Sequence, residues 1–246
     1  MIMSRRTDRP LVIAHRGFSA GHGENTAAAF EAAIGCGADF IETDVRLSND
    51  GTLYCNHDPH LERTRGTDKT IAGLGDEALD ALEIMRLSQV LELAKNRIPI
   101  LLDLKLLYAG FPLVVLETVL RHGVTEDVVF GVRSVAQAAA LHAEAPQQTM
   151  LGFLKQPSDI PAFFAAGGMI ARLWEEDVTE TAVEQVRQGD HAIWVTAGLT
   201  QSGEAPGEIE PARLRRLSAL GIDGVLVNDP EMALRALRQD DGTAAQ

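Results

Sequence analysis

Runs of four to six residues rich in Val, Ile and Leu alternate with stretches of helical periodicity along nearly the whole of this chain. The apolar runs fall at Leu11–Ala14, at Phe40–Val45 with Leu53–Asn56, and at Ile98–Leu102, Val128–Val132, Met150–Leu154, Met169–Leu173, Ala192–Val195 and Gly224–Val227. They lack clean polar alternation, as expected of strands buried on both faces. Counting the paired second region once gives eight strands, each followed by a helix. That count predicts a (β/α)8 TIM barrel; a doubly wound open sheet is the runner-up, because alternation alone does not prove closure.

Residues 59–86 interrupt the rhythm. The segment is polar, holds Arg63, Arg65 and Asp68, and is longer than an ordinary βα loop. It reads as a loop-like insertion over the barrel mouth. Residues 239–246, DDGTAAQ preceded by Gln239, read as a disordered tail. Nothing else marks a boundary, so residues 1–246 read as a single barrel domain. Cys36 and Cys55 sit outside any metal-binding or CxxC spacing and read as plain core residues.

The net charge of -13 argues against a nucleic-acid partner, which would be met by Lys and Arg patches. The opening MIMSRRTDRP is basic but has no apolar stretch of signal-peptide length before Pro10. A cytoplasmic protein without a stable membrane anchor is therefore expected.

In a barrel of this type functional groups gather where strands end and βα loops begin. The first strand ends in Ala14-His15-Arg16-Gly17, the second carries Glu42-Thr43-Asp44, its return strand ends in Asn56-His57-Asp58, and the third ends in Asp103-Leu104-Lys105. Glu42 and Asp44 are two apart on a strand, so they share a face among apolar neighbours. Two carboxylates on one buried face repel unless a proton or cation intervenes, and a hard divalent ion suits oxygen ligands. Ser48-Asn49-Asp50-Gly51-Thr52 is a hairpin signal. With Asp50-Gly51 as a two-residue loop, Asp44 lies opposite His57. His15 and His57 suit general acid and base work near neutral pH, and Arg16 and Lys105 are donors fit for phosphate oxygens. Trp174 and Glu175 end the sixth strand and Trp194 lies in the seventh; all three are candidates to shape an alcohol pocket, with Glu175 pairing a cationic headgroup.

Taken together, His15-Arg16-Gly17, Glu24-Asn25-Thr26 opening a helix, Glu42-x-Asp44 and His57-Asp58, at their spacing, resemble the opening of the glycerophosphodiester phosphodiesterase family. The stretch GIDGVLVNDP resembles its last strand and exit turn. The resemblance implies a TIM barrel that cleaves a small-molecule phosphodiester to glycerol 3-phosphate and an alcohol with a divalent metal, Mg²⁺ or Ca²⁺, with Mn²⁺ a further candidate. It implies metal ligation by Glu42, Asp44 and the third-strand acid Asp103, acid/base roles for His15 and His57, and phosphate contact by Arg16; Lys105 matches the family's lysine two residues past the third acid.

Four departures accompany the match. Gly23 replaces the usual Pro, and Asp103 replaces the usual Glu. Trp194-Val195-Thr196-Ala197 lacks a polar group near the seventh strand, and Gly131-Val132-Arg133-Ser134 differs from the usual motif ending in Ser-Phe. The metal and phosphate end matches, and the alcohol side is altered. Competing readings are a phospholipase D-like lipid hydrolase on the same barrel and a non-catalytic barrel that binds a phosphorylated metabolite.

Overall fold

The computed structural model describes residues 8–238; the expected tail at 239–246 lies outside the described residues. Nine strands form one sheet: β1 (Leu11–Ala14), β2 (Phe40–Leu47), β3 (Leu53–Cys55), β4 (Ile100–Leu104), β5 (Val128–Val132), β6 (Met150–Gly152), β7 (Ile170–Trp174), β8 (Ala192–Thr196) and β9 (Gly224–Val227). Eight of them are parallel neighbours in a ring, and β1 pairs with both β9 and β2. That double pairing closes the sheet into a TIM barrel and removes the doubly wound alternative. The remaining strand, β3, is antiparallel to β2 and lies outside the ring.

Each strand has two buried faces with different partners. On β4, Ile100, Leu102 and Leu104 pack outward in the core shared with the helices, while Leu101 points into the barrel with Ile13, Phe40, Val129, Leu151, Ile170, Trp194 and Leu226. This two-sided burial is why the runs show no polar alternation. The inward rows turn polar toward their C-terminal ends, and that change places His15, Arg16, Glu42, Asp44, His57, Asp103 and Lys105 at one mouth.

The main helices between strands are α1 (Ala27–Cys36), α4 (Leu87–Ala94), α5 (Phe111–His122), α6 (Val135–Glu144), α7 (Ile160–Ala165), α8 (Glu180–Arg187), α9 (Pro211–Ala219) and the closing α10 (Pro230–Arg238). Thr26, Ser134 and Thr179 cap α1, α6 and α8 by accepting from the backbone N–H three residues on. Residues 59–86 contain α2 (Glu62–Arg65) and α3 (Asp76–Ala81), with a small core of their own made by Tyr54, Leu61, Ile71, Leu79 and Ile84. The segment is thus more ordered than a loop, because its scattered Leu and Ile side chains close on the outward face of β3.

The hairpin register differs from the expected one by one residue. Ser48 and Thr52 close the turn, so Asn49, Asp50 and Gly51 form a three-residue loop with Gly51 at φ 84°. Val45 consequently pairs with Cys55, and the Asn56 N–H donates to the Asp44 carbonyl. Asn56, not His57, lies opposite Asp44.

Gly17 stands where the chain leaves β1 and folds back over α1. Its φ is +80°, and a Cβ there would lie 2.7 Å from the Ala29 backbone. Gly17→Ala should therefore cost about 1–3 kcal/mol of unfolding free energy. Equilibrium denaturation checks this, and an unchanged midpoint would show that the turn relaxes freely.

Candidate active site

The mouth holds three buried carboxylates. Oxygens of Glu42, Asp44 and Asp103 all lie within 4.8 Å of one another. Strand register explains the meeting: Asp44 on β2 pairs with Asp103 on β4, and Glu42 sits two residues below Asp44 on the same face. Burial pushes the Glu42 carboxyl well above the usual carboxylate range, and repulsion from Asp44 and then Asp103 adds to it. Burial also disfavours charge on Asp44, yet Lys105 and then Arg16 outweigh it and hold Asp44 ionised. Three hard oxygen ligands at this separation, one driven toward its protonated form, make a donor set that fits a Mg²⁺- or Ca²⁺-like ion.

Cations interleave with the acids. The Lys105 ammonium donates to Asp103 Oδ2 at 2.6 Å and lies 2.7 Å from Asp44 Oδ1, out of line for a good hydrogen bond. Arg16 adopts φ 57°, which turns its N–H onto Glu42 Oε2 at 2.8 Å and brings its Nε to 3.3 Å from Asp44 Oδ2. Asn25, also at positive φ, donates to Asp44 Oδ2 at 2.9 Å and accepts from the Thr43 hydroxyl at 2.7 Å. The Glu-Asn-Thr segment therefore aims a metal-type carboxylate as well as opening a helix.

The two histidines differ in their partners. His15 Nδ1 is 2.8 Å from Asn228 Oδ1. The Asn228 amide donates to the Pro206 carbonyl, which fixes Oδ1 as an acceptor, so Nδ1 of His15 carries the hydrogen and Nε2 holds the lone pair. Burial lowers the His15 pKa to about 4, with Arg16 adding to the effect. His57 Nδ1 is 2.7 Å from the Asp58 carboxylate. Burial lowers its pKa too, against the pull of Asp44. Arg46 donates to the Asn56 and His57 carbonyls and fixes that turn. Arg63, from residues 59–86, binds Asp58 Oδ2 at 2.7 Å and both oxygens of Glu24, which in turn meets Arg16. One exposed arginine thus ties the insertion to both histidine-bearing loops.

A model of the glycerophosphoryl diester phosphodiesterase family matches residues 15–151. The Bacillus subtilis protein YqiK is 30% identical over 251 residues, covering 93% of this chain and 99% of its own length. The chain belongs to the glycerophosphoryl diester phosphodiesterase family. A glycerophosphodiester phosphodiesterase of Bacillus altitudinis is 27% identical over 246 residues, covering 91% of this chain and 96% of its own. A crystal structure of a Thermotoga maritima glycerophosphodiester phosphodiesterase superposes with a TM-score of 0.76 at 25% identity, over 92% of this chain and 97% of that one. The fold is also that of an Oleispira antarctica phosphodiesterase in complex with sn-glycerol-3-phosphate, with a TM-score of 0.81 at 19% identity, over 94% of this chain and 97% of that one.

Within this family frame, His15, Arg16, Glu42, Asp44, His57, Asp103 and Lys105 gather at one mouth. Two other candidates do not join them. Trp194 is fully buried, edge-on to Phe40 at 5.0 Å and stacked over Gly224, so it fills the barrel floor. Glu175 is buried with Oε2 accepting from the Gly198 N–H at 2.8 Å and Oε1 held by Arg213 at 2.9 Å. A carboxylate committed in this way is not open to a cationic headgroup, which corrects that expectation.

Arg46, Arg133, Arg172 and Asn228 were missed as site residues by the sequence reading. Each lies two residues beyond an inward-facing position, namely Asp44, Gly131, Ile170 and Leu226. Arg46, Arg133 and Asn228 lie just past apolar runs and Arg172 lies inside one, so following the period of two along each strand reaches all four. Arg133 grips Asp103 with both Nε and Nη2, at 3.0 and 2.6 Å.

The buried, neutral His15 makes stability depend on pH. Between pH 6.5 and about 4 the unfolded chain takes up a proton at this ring and the folded chain does not. Stability is therefore lost as pH falls through that window, by about 3 kcal/mol from this residue. In thermal melts, His15→Gln should lose stability less steeply than wild type from pH 6.5 to 4.5; parallel profiles would contradict a buried neutral imidazole.

Proposed function

We propose that this chain hydrolyses glycerophosphodiesters to glycerol 3-phosphate and an alcohol, with a divalent ion held by Glu42, Asp44 and Asp103. The observation that carries the reading is the cluster of three buried carboxylates within 4.8 Å, flanked by two histidines and by Arg16 and Lys105. When bound, such an ion polarises a phosphoryl oxygen and offsets charge in the transition state. Arg16 and Lys105, which border the cluster, would grip the other phosphate oxygens.

The proton chemistry follows from the partners of each ring. With its hydrogen held on Nδ1 by Asn228, His15 offers Nε2 as a proton acceptor and serves as the general base. The carboxylate at Nδ1 of His57 offsets part of the burial that lowers its pKa, a partner His15 lacks, so of the two rings His57 serves as the acid that protonates the leaving alkoxide at Nε2. Among the described residues neither Nε2 has a hydrogen-bond partner. The nucleophile is water or the neighbouring glycerol hydroxyl; the second route passes through a cyclic phosphate.

One observation favours a second reading. Leu107 and Tyr108 follow β4 at the same mouth and are 58% and 49% exposed. Apolar side chains on a rim suit an acyl chain, as a lipid diesterase would require. Among the described residues no helix is long and apolar enough to cross a membrane.

The direct assay is release of glycerol 3-phosphate from a panel of glycerophosphodiesters. His15→Ala and His57→Ala should each lower kcat by roughly 10²–10⁴-fold. EDTA should abolish turnover, and Mg²⁺, Mn²⁺ or Ca²⁺ should restore it. Near-normal rates in either variant would end the acid/base assignment, and activity indifferent to EDTA would end the metal role.

A further inference from the structure

From beside Asp103 to the wall opposite β2 runs a second group of side chains that the proposed chemistry does not use. In the closed ring β7 is four strands from β2 in either direction. The inward rows of β5, β6 and β7 end there in Arg133, Phe153, Arg172 and Trp174. Gly131 makes room for the Phe153 ring, because a Cβ at that position would come within 2.5 Å of it. Both arginines then sit against that ring, with Cζ of Arg133 at 5.5 Å and Cζ of Arg172 at 5.4 Å from its centroid. The Arg172 guanidinium also lies 4.2 Å from the Trp174 ring centroid.

Arg133 has a counterion in Asp103. Arg172 does not: its Nε is buried without a hydrogen-bond partner, and it forms no ion pair among the described residues. Asp103 and Asp177 act on it only through space. Burying a guanidinium without a paired anion is costly, and contact with aromatic faces offsets only part of that cost. A planar fork of unused N–H donors, held between two rings and beside a second arginine, is complementary to a carboxylate or phosphate.

We propose that Arg172, with Arg133 across the Phe153 ring, forms a subsite for an anionic group on the leaving alcohol. The favoured substrates are then glycerophosphodiesters whose alcohol carries a phosphate or carboxylate, not a choline-like cation. The inference rests on the phosphodiesterase reading of the neighbouring cluster. It fits the position of Arg172 on β7, the strand opposite the one that carries Glu42 and Asp44. It also fits the loss of Glu175 as a partner for a cationic headgroup.

Two arms test it. In the first, kcat/KM is measured on metal-replete enzyme for glycerophosphocholine and for glycerophosphoinositol with and without a 4-phosphate. Wild type should prefer the phosphorylated inositol diester over its unphosphorylated twin by roughly tenfold or more, with choline poorest. Arg172→Met should shrink that ratio to within about threefold, and Arg172→Lys should retain an intermediate preference. In the second arm, calorimetry follows binding of inositol 4-phosphate, which should weaken about tenfold or more in Arg172→Met and persist in His57→Ala.

No charge preference in wild type, or an equal loss on all three substrates in Arg172→Met, overturns the subsite and leaves the phosphodiesterase reading intact. Arg172-dependent binding of inositol 4-phosphate without hydrolysis of any diester overturns the phosphodiesterase reading and leaves the subsite standing. If Arg172→Met lowers the melting temperature, the ratios for Arg172→Lys and Arg133→Met carry the test, and ratios equal to wild type in both count against the proposal.

Discussion

Three carboxylates forced within 4.8 Å of one another in a buried mouth are the constraint on which the rest of this structure turns. Mutual repulsion in a medium of low dielectric would drive them apart or protonate them, so each must be answered by a cation or a donor. Lys105 bridges Asp44 and Asp103, Arg133 grips Asp103 from β5, Arg16 pairs with Asp44 and lends its N–H to Glu42, and Asn25 donates to Asp44. The strained turn at Arg16 and Gly17 and the left-handed Asn25 exist where they deliver those groups. Register between β2 and β4 brings Asp44 beside Asp103, and the β1–β2 pairing that closes the barrel brings Arg16 to Glu42.

Most of the fold could be read from the order of apolar runs, because strands buried on both faces leave a continuous signature. Site residues at strand ends were legible for the same reason: the run stops and a reactive residue follows. Reading failed where spacing is degenerate. The pair Asp50-Gly51 is compatible with two- and three-residue hairpins, and only the closed Ser48–Thr52 pairing shows which one forms. Residues 59–86 look polar because their few Leu and Ile side chains are dispersed, yet these meet on Tyr54 in three dimensions. Position in the chain alone points Trp194 and Glu175 toward the pocket. The inward face at Trp194 is the barrel floor, and the partner that removes Glu175, Arg213, comes from α9.

Local and global charge diverge in a way that composition hides. The chain carries a net charge of -13, but the inward row ends of β2, β4, β5 and β7 include Arg46, Lys105, Arg133 and Arg172. Net charge therefore says little about the local field at the mouth, where these cations face the three carboxylates. The asymmetry also separates the two halves of the site. Glu42, Asp44 and Asp103 crowd negative charge together, whereas Arg172 forms no ion pair among the described residues.

The central claim is that the carboxylate cluster is a divalent-metal site. Calorimetric titration of Mg²⁺, Mn²⁺ and Ca²⁺ into metal-stripped protein at neutral pH tests it most directly, with Glu42→Gln and Asp44→Asn as references. The account predicts one divalent site per chain in wild type and its loss in both variants. Absence of binding in wild type, or binding unchanged in both variants, would contradict it.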